Sequence, residues 1–194
     1  IDNVFYLRVG YSSPSWQQFG YTKDLLQGFS KYGALLEMGK IYMLNGIPTP
    51  ANTAIGINAD FFSIYGHFFA SDEHALDIGT LRLDSKVGPS FTYMPLEKLA
   101  LDVFVKADIN WVTASVFIED NDIDDAEGYG RIGCIGLSTG LNARYGKLML
   151  GVEYNTISPK LEDLNNKGEY LGNAEDDSDK TPLPSLSFTI GLNF

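Results

Sequence analysis

Large apolar residues alternate one for one with small or polar residues along most of this chain. In the last ten residues Leu186, Phe188, Ile190, Leu192 and Phe194 alternate with Ser185, Ser187, Thr189, Gly191 and Asn193. Successive side chains of an extended chain point to opposite faces, so this segment predicts a β-strand with one apolar face. The same ladder recurs over 147–156, where Leu148, Leu150, Val152 and Tyr154 oppose Lys147, Met149, Gly151, Glu153 and Asn155, and over 134–145 and 99–117. Four more lie upstream, at 80–93, 53–65, 34–44 and 2–11, which makes eight predicted strands. In the 34–44 segment strict alternation puts Lys40 on the apolar face, which a bulge at Gly39 or snorkelling of the lysine toward an interface would accommodate.

The connections alternate long and short. Long segments are predicted at about 12–33, 66–78, 119–130 and 158–184, with short turns between them. An up-and-down barrel puts every odd connection at one end, and membrane barrels carry long loops at one end and short turns at the other. The expected architecture is one all-β domain over 1–194, an eight-stranded antiparallel up-and-down barrel with four long outer loops and both termini at the short-turn end.

Glycine placement decides which face is inside. Gly10, Gly39, Gly56, Gly88, Gly136, Gly140, Gly151 and Gly191 all fall on the polar face. The interior of a small tilted barrel is its crowded side, where small residues make room for long neighbours. The polar face is therefore read as the lumen. That places Arg8, Arg82, Lys86, Lys106, Arg144 and Lys147 inside with Glu37, Asp60, Asp84, Asp102, Asp108 and Glu153. Opposite charges in a narrow, poorly hydrated core are expected to pair, so the reading is a plug of ion pairs that leaves the lumen largely closed.

Composition narrows the function. The 194-residue chain has a formal net charge of −11, which repels phosphate and argues against nucleic-acid binding. The excess acid falls mainly in the predicted loops, with six acids and no Lys or Arg in 119–130. One cysteine, Cys134, excludes an internal disulfide framework and multi-cysteine metal sites, and its lumen position reads as a small filler. Mean hydropathy is −0.07, as for a soluble protein, but a transmembrane barrel hides its hydrophobicity in every second residue. No secretory leader opens the sequence at Ile1; for an exported barrel it is expected to have been removed.

Aromatic residues cluster at both ends of the apolar face. Tyr11, Tyr65, Trp111 and Tyr154 lie toward the long loops, and Phe5, Tyr42, Tyr93, Tyr145 and Phe194 toward the short turns. Two such girdles are what anchoring at two membrane interfaces requires. With eight ladders, alternating loop lengths and a terminal Phe194, nearly the whole chain resembles the small outer-membrane β-barrel family. That class contains OmpX and the transmembrane domain of OmpA, and the chain also resembles the outer-membrane β-barrel domains of Bacteroidetes. The resemblance implies a monomer in a Gram-negative outer membrane, termini in the periplasm, outer-membrane lipid and lipopolysaccharide around it, and insertion by the barrel-assembly machinery. Leu192, Asn193 and Phe194 fit the ending that machinery recognises, and Ser187 fits its polar position; Thr189 stands where the usual signal has glycine.

Candidate chemistry is sparse. Asp120, Asp122 and Asp124 have the spacing of positions one, three and five of a calcium loop, but Asp125 and Arg131 stand where glycine and glutamate are needed, so a solvated acidic loop is expected. His67 and His74 lie near Ser71, Asp72 and Glu73 in one predicted loop, without an esterase motif. Leu25, Leu26 and Phe29 form a short apolar stripe in the first loop, read as local packing. The expectation is a barrel without cofactor or enzymatic activity that acts through its outer loops. A lipid-modifying enzyme, a small hydrophobic-solute channel and a soluble lipocalin-like carrier are the competing readings.

Overall fold

In the computed structural model residues 2–14, 30–70, 76–119, 127–131, 134–157, 162–164 and 184–194 are described. They contain ten strands: β1 (Val4–Pro14), β2 (Ser30–Met43), β3 (Thr53–Ala70), β4 (Leu76–Leu96), β5 (Leu99–Glu119), β6 (Glu127–Arg131), β7 (Cys134–Tyr145), β8 (Leu148–Thr156), β9 (Glu162–Leu164) and β10 (Ser185–Asn193). Strands β1, β2, β3, β4, β5, β7, β8 and β10 form a closed antiparallel barrel, each pairing with the next and β10 returning to β1. Closure ends in a reciprocal pair of backbone bonds, from Phe5 N to Phe194 O at 3.2 Å and from Phe194 N to Phe5 O at 2.8 Å. Both chain ends therefore meet at the end of the barrel that carries the short turns.

The ladders set the two faces. Buried and exposed residues alternate strictly through β8, with Met149, Gly151, Glu153 and Asn155 inside and Leu148, Leu150, Val152 and Tyr154 outside. The outer face is a continuous apolar band, whereas the interior is polar and charged. This inverts the usual soluble arrangement and suits a hydrocarbon surround, because a closed barrel satisfies every backbone group within the wall. The wall is uneven in height. Strands β4 and β5 are 21 residues long, against nine in β8 and β10. They run well into segments read as loops from the sequence, and β6 and β9 extend the same sheet beyond the barrel along the end of β5.

Besides an irregularity next to the β4–β5 turn, where Tyr93 faces Leu101 and Leu96 faces Leu99, two bulges interrupt the pleat. On β3, Met38 faces Phe62 while Gly39 faces Asp60, which leaves Phe61 as an extra residue. On β5, Leu83 faces Val112 while Asp84 faces Asn110, which leaves Trp111 extra. Ser85 lies between them, accepting from Trp111 Nε1 at 2.8 Å and donating to the Phe61 carbonyl at 2.7 Å. An extra residue shifts the alternation by one position beyond it.

Three expectations change as a result. Tyr65, assigned to the outer girdle, is fully buried in the lumen because it lies beyond the Phe61 bulge. Lys147, assigned to the lumen, is exposed: Tyr145 pairs directly with Leu148, so Gly146 and Lys147 form a tight turn, and the positive φ of Gly146, 57°, suits a residue without a Cβ. Lys40 needs no bulge at Gly39, since the bulged residue is on the partner strand. It stays on the outer face with Nζ 4.8 Å from the centre of the Tyr42 ring.

Candidate functional site

The lumen is built from three layers of charge. At its centre Arg8 of β1, Lys86 of β4 and Lys106 of β5 meet Glu37 of β2, Asp60 of β3 and Glu153 of β8, and all six are buried. Arg8 Nε lies 2.7 Å from Glu37 Oε2, and Lys86 Nζ lies 2.7 Å from Glu37 Oε1. Lys106 Nζ lies 2.5 Å from Asp60 Oδ2 and 2.8 Å from Glu153 Oε2. Neutral side chains complete the cluster. Ser63 donates to Glu37, Lys86 donates to the Tyr65 hydroxyl, and the Tyr6 hydroxyl contacts Asn58 and Asp60. Three cations and three anions cancel, so the centre is neutral and densely bonded.

Toward the short turns Arg144 grips Asp102 with two nitrogens, Nε at 2.7 Å and Nη2 at 2.8 Å, while Thr92 donates to the same carboxylate. Such a fork is the strongest geometry for an arginine and a carboxylate. Beside it Val4, Tyr6, Ile41, Met43, Ala54 and Met149 form an apolar floor. Toward the long segments Arg82 Nε lies 2.7 Å from Asp84 Oδ2, with its guanidinium 4.0 Å above the Tyr65 ring. Asp108 in this layer takes contacts from Asn155 and Ser138, and among the described residues it pairs with no cation. With Lys147 outside, the described lumen holds five cations and six anions, and Asp108 is the acid left over.

The structure thus brings eleven of the twelve predicted lumen charges inside and omits Lys147. Of the predicted girdle, Phe5, Tyr11, Tyr42, Tyr93, Trp111, Tyr145, Tyr154 and Phe194 face outward, and Tyr65 does not. Tyr32 and Phe68, whose rings stack at 5.7 Å, stand outward near the long-segment end and were not anticipated. Phe104 fills the interior under Lys106, whose Nζ lies 4.2 Å from its ring centre; its even position in the β5 ladder was the signal that could have found it. Asp120, Asp122, Asp124, His74 and the stripe of Leu25, Leu26 and Phe29 lie outside the described residues.

His67 is not in a loop. It projects into the top of the lumen from β3, with Nε2 3.0 Å from Ser12 Oγ, and Ser187 bonds Ser12 in turn at 3.1 Å. Gly33 of β2 lets the imidazole cross to β1, because a Cβ there would collide with its ring. The two serines and the histidine face the interior and are buried, not set beside a groove in the outer wall. Glu37, Asp60 and Glu153 bring carboxylate oxygens within 4.8 Å of one another, the spacing of a metal site. Three buried cations already occupy those oxygens, and a divalent ion would add charge to a neutral cluster.

No protein-family model matches the sequence, and no curated protein matches it. Among solved structures the chain resembles Ail, the attachment invasion locus protein of Yersinia pestis, at 12% identity and a TM-score of 0.52, over 100% of both chains. The same protein in complex with the heparin analogue sucrose octasulfate gives 14% identity and 0.53, again over 100% of both chains. The outer membrane protease OmpT from Escherichia coli gives 12% identity and 0.48, over 99% of this chain and 95% of that one. At these identities the likeness is one of fold. The chain folds as a small outer-membrane β-barrel. The lumen of this barrel is a packed, charge-paired core, and its apolar surface is the outside of the wall.

Proposed function

We propose that the protein is a non-enzymatic structural or surface-interaction barrel of a Gram-negative outer membrane, with short turns and termini in the periplasm and long segments outside the cell. The observation that carries this reading is the filled lumen. A core held by charge pairs across the barrel leaves no room for general solute passage, so variable chemistry falls to the long segments, where loop-borne function generally resides. Ail has been captured with a sulfated heparin analogue. The acidic outer segments of this chain, with six acids and no Lys or Arg in 119–130, favour a neutral or basic partner over such a polyanion.

A hydrolase is the second reading, because His67 and Ser12 stand in hydrogen-bond contact. A nucleophilic serine also needs an oriented base and access for substrate. Ser12 is completely buried, and the described residues place no carboxylate on His67. The discriminating experiment treats the protein in lipid vesicles with a fluorophosphonate probe and follows phospholipid and lipopolysaccharide hydrolysis. The expected result is no label and no turnover. Labelling or turnover that disappears in Ser12→Ala would replace this proposal with the enzymatic one.

A further inference from the structure

Among the described side chains, Lys40 is the one charged residue of the barrel strands that faces outward, level with Phe5 of the short-turn girdle. Its neighbours in the wall are apolar. Phe5 of β1 and Ala59 of β3 are its register partners, and Phe5 in turn contacts Phe61 and Phe194 at ring separations of 6.5 and 6.4 Å. Its described charge partner is the Tyr42 ring, two residues nearer the short-turn end, 4.8 Å from Nζ. No carboxylate among the described residues lies within ion-pair distance of it. A lysine on a membrane barrel's outer face is costly near mid-depth and is tolerated near an interface, where the ammonium can reach headgroups. The direction of the side chain, over Tyr42 toward the short turns, fixes which interface it meets.

We infer that Lys40 and Tyr42 form a binding site for the headgroup phosphate of an anionic phospholipid, with the acyl chain lying over Ala59 beside Phe5 and Phe61. Three features support that occupant. Among the described residues the ammonium is the one outward charge in the apolar band and has no carboxylate within ion-pair distance, so its complement is an anion supplied from the surround. Tyr42 holds the ammonium by a cation–π contact and leaves its other side open to a phosphate. Ala59, the register partner of Lys40 on β2 and of Val87 on β4, is a small apolar residue beside the lysine. The site rests on the membrane reading above. With the short turns in the periplasm, it faces the inner leaflet.

The test uses spin-labelled phosphatidylglycerol and phosphatidylcholine with the protein in vesicles, reading the motionally restricted fraction of each lipid. The wild type is expected to prefer phosphatidylglycerol by about fivefold, the worth of one lysine beside an anionic lipid. Lys40→Arg should retain the preference, Lys40→Gln should abolish it, and Tyr42→Leu should weaken it. Equal selectivity in wild type and Lys40→Gln overturns the inference. So does loss of the preference on adding inorganic phosphate at constant ionic strength, which would assign the site to a free anion. A heat-modifiable gel shift is read on the same samples. Failure of the wild type to insert would sink the membrane reading and this site with it, whereas insertion without selectivity would sink the site alone.

Discussion

Lys86 Nζ lies 2.5 Å from Glu153 Oε1 on the far side of the lumen, although the residue directly opposite Lys86 on the neighbouring strand is the acid Asp108. The lysine reaches past its cross-strand partner to Glu37 and Glu153 and donates to the Tyr65 hydroxyl on the way. Side chains long enough to span a narrow barrel choose partners by layer, and the layer that holds Arg8 and Lys106 offers more carboxylates. Asp108 is left with neutral donors.

Glu153 pairs with Lys86, Lys106 and Arg8, so Glu153→Gln leaves three buried cations to share two carboxylates, Glu37 and Asp60. The expected loss is about 3–5 kcal/mol of folding free energy, the cost of breaking a buried pair from one side. Urea unfolding in lipid vesicles measures it. Asp108→Asn, by contrast, removes an acid that forms no ion pair among the described residues, and is expected to leave stability within about 1 kcal/mol of wild type or to raise it. Equal losses in the two variants would mean that the lumen charges are hydrated and do not pair.

Tyr65 and Trp111 separate the two faces beyond the bulges. With Trp111 as the sole tryptophan, after Trp16→Phe, brominated phospholipid is expected to quench its fluorescence strongly. With Tyr65→Trp in a background lacking both native tryptophans, little quenching is expected, because that ring lies inside beside Arg82. Strong quenching of a tryptophan at 65 would refute the register set by Phe61.

A packed lumen conducts poorly. Planar-bilayer recording of the purified protein is expected to show no stable currents of general-porin size. Such currents in the wild type would show that the central six charges line water.

Gly88 and Gly66 make opposite predictions about the wall. A Cβ at Gly88 would run into the Val105 carbonyl oxygen and the Lys106 Cα on β5, which are backbone atoms held in the ladder, whereas a Cβ at Gly66 meets nothing within 4 Å. Gly88→Ala is therefore expected to destabilise by about 1–3 kcal/mol or to prevent closure, and Gly66→Ala to have little effect. The heat-modifiable gel shift reads both.

Much of this barrel was legible in the sequence. Alternation in β8 and β10 assigns faces without any tertiary information, since an extended backbone turns each side chain over by covalent geometry alone. The inward charges Arg8, Glu37, Asp60, Lys106 and Glu153 followed from that rule and from glycines confined to one face. His67 did not, because β3 continues past the point where its apolar ladder fades, and the backbone pairing that carries it to Ala70 comes from β2 and β4.

What the sequence by itself determined is therefore the number of barrel strands, their alternation and the polarity of the two faces, all properties of the chain taken one segment at a time. Only the tertiary structure decided where the alternation slips, at Phe61 and Trp111, because a bulge exists only relative to the strand it faces. The fold also decided that Gly146 and Lys147 turn the chain out of the wall, and which acid each cation takes. Lys86 and Glu153 are 67 residues apart in sequence. Their contact arises because barrel closure brings β4 and β8 across one lumen, and no local pattern encodes that distance.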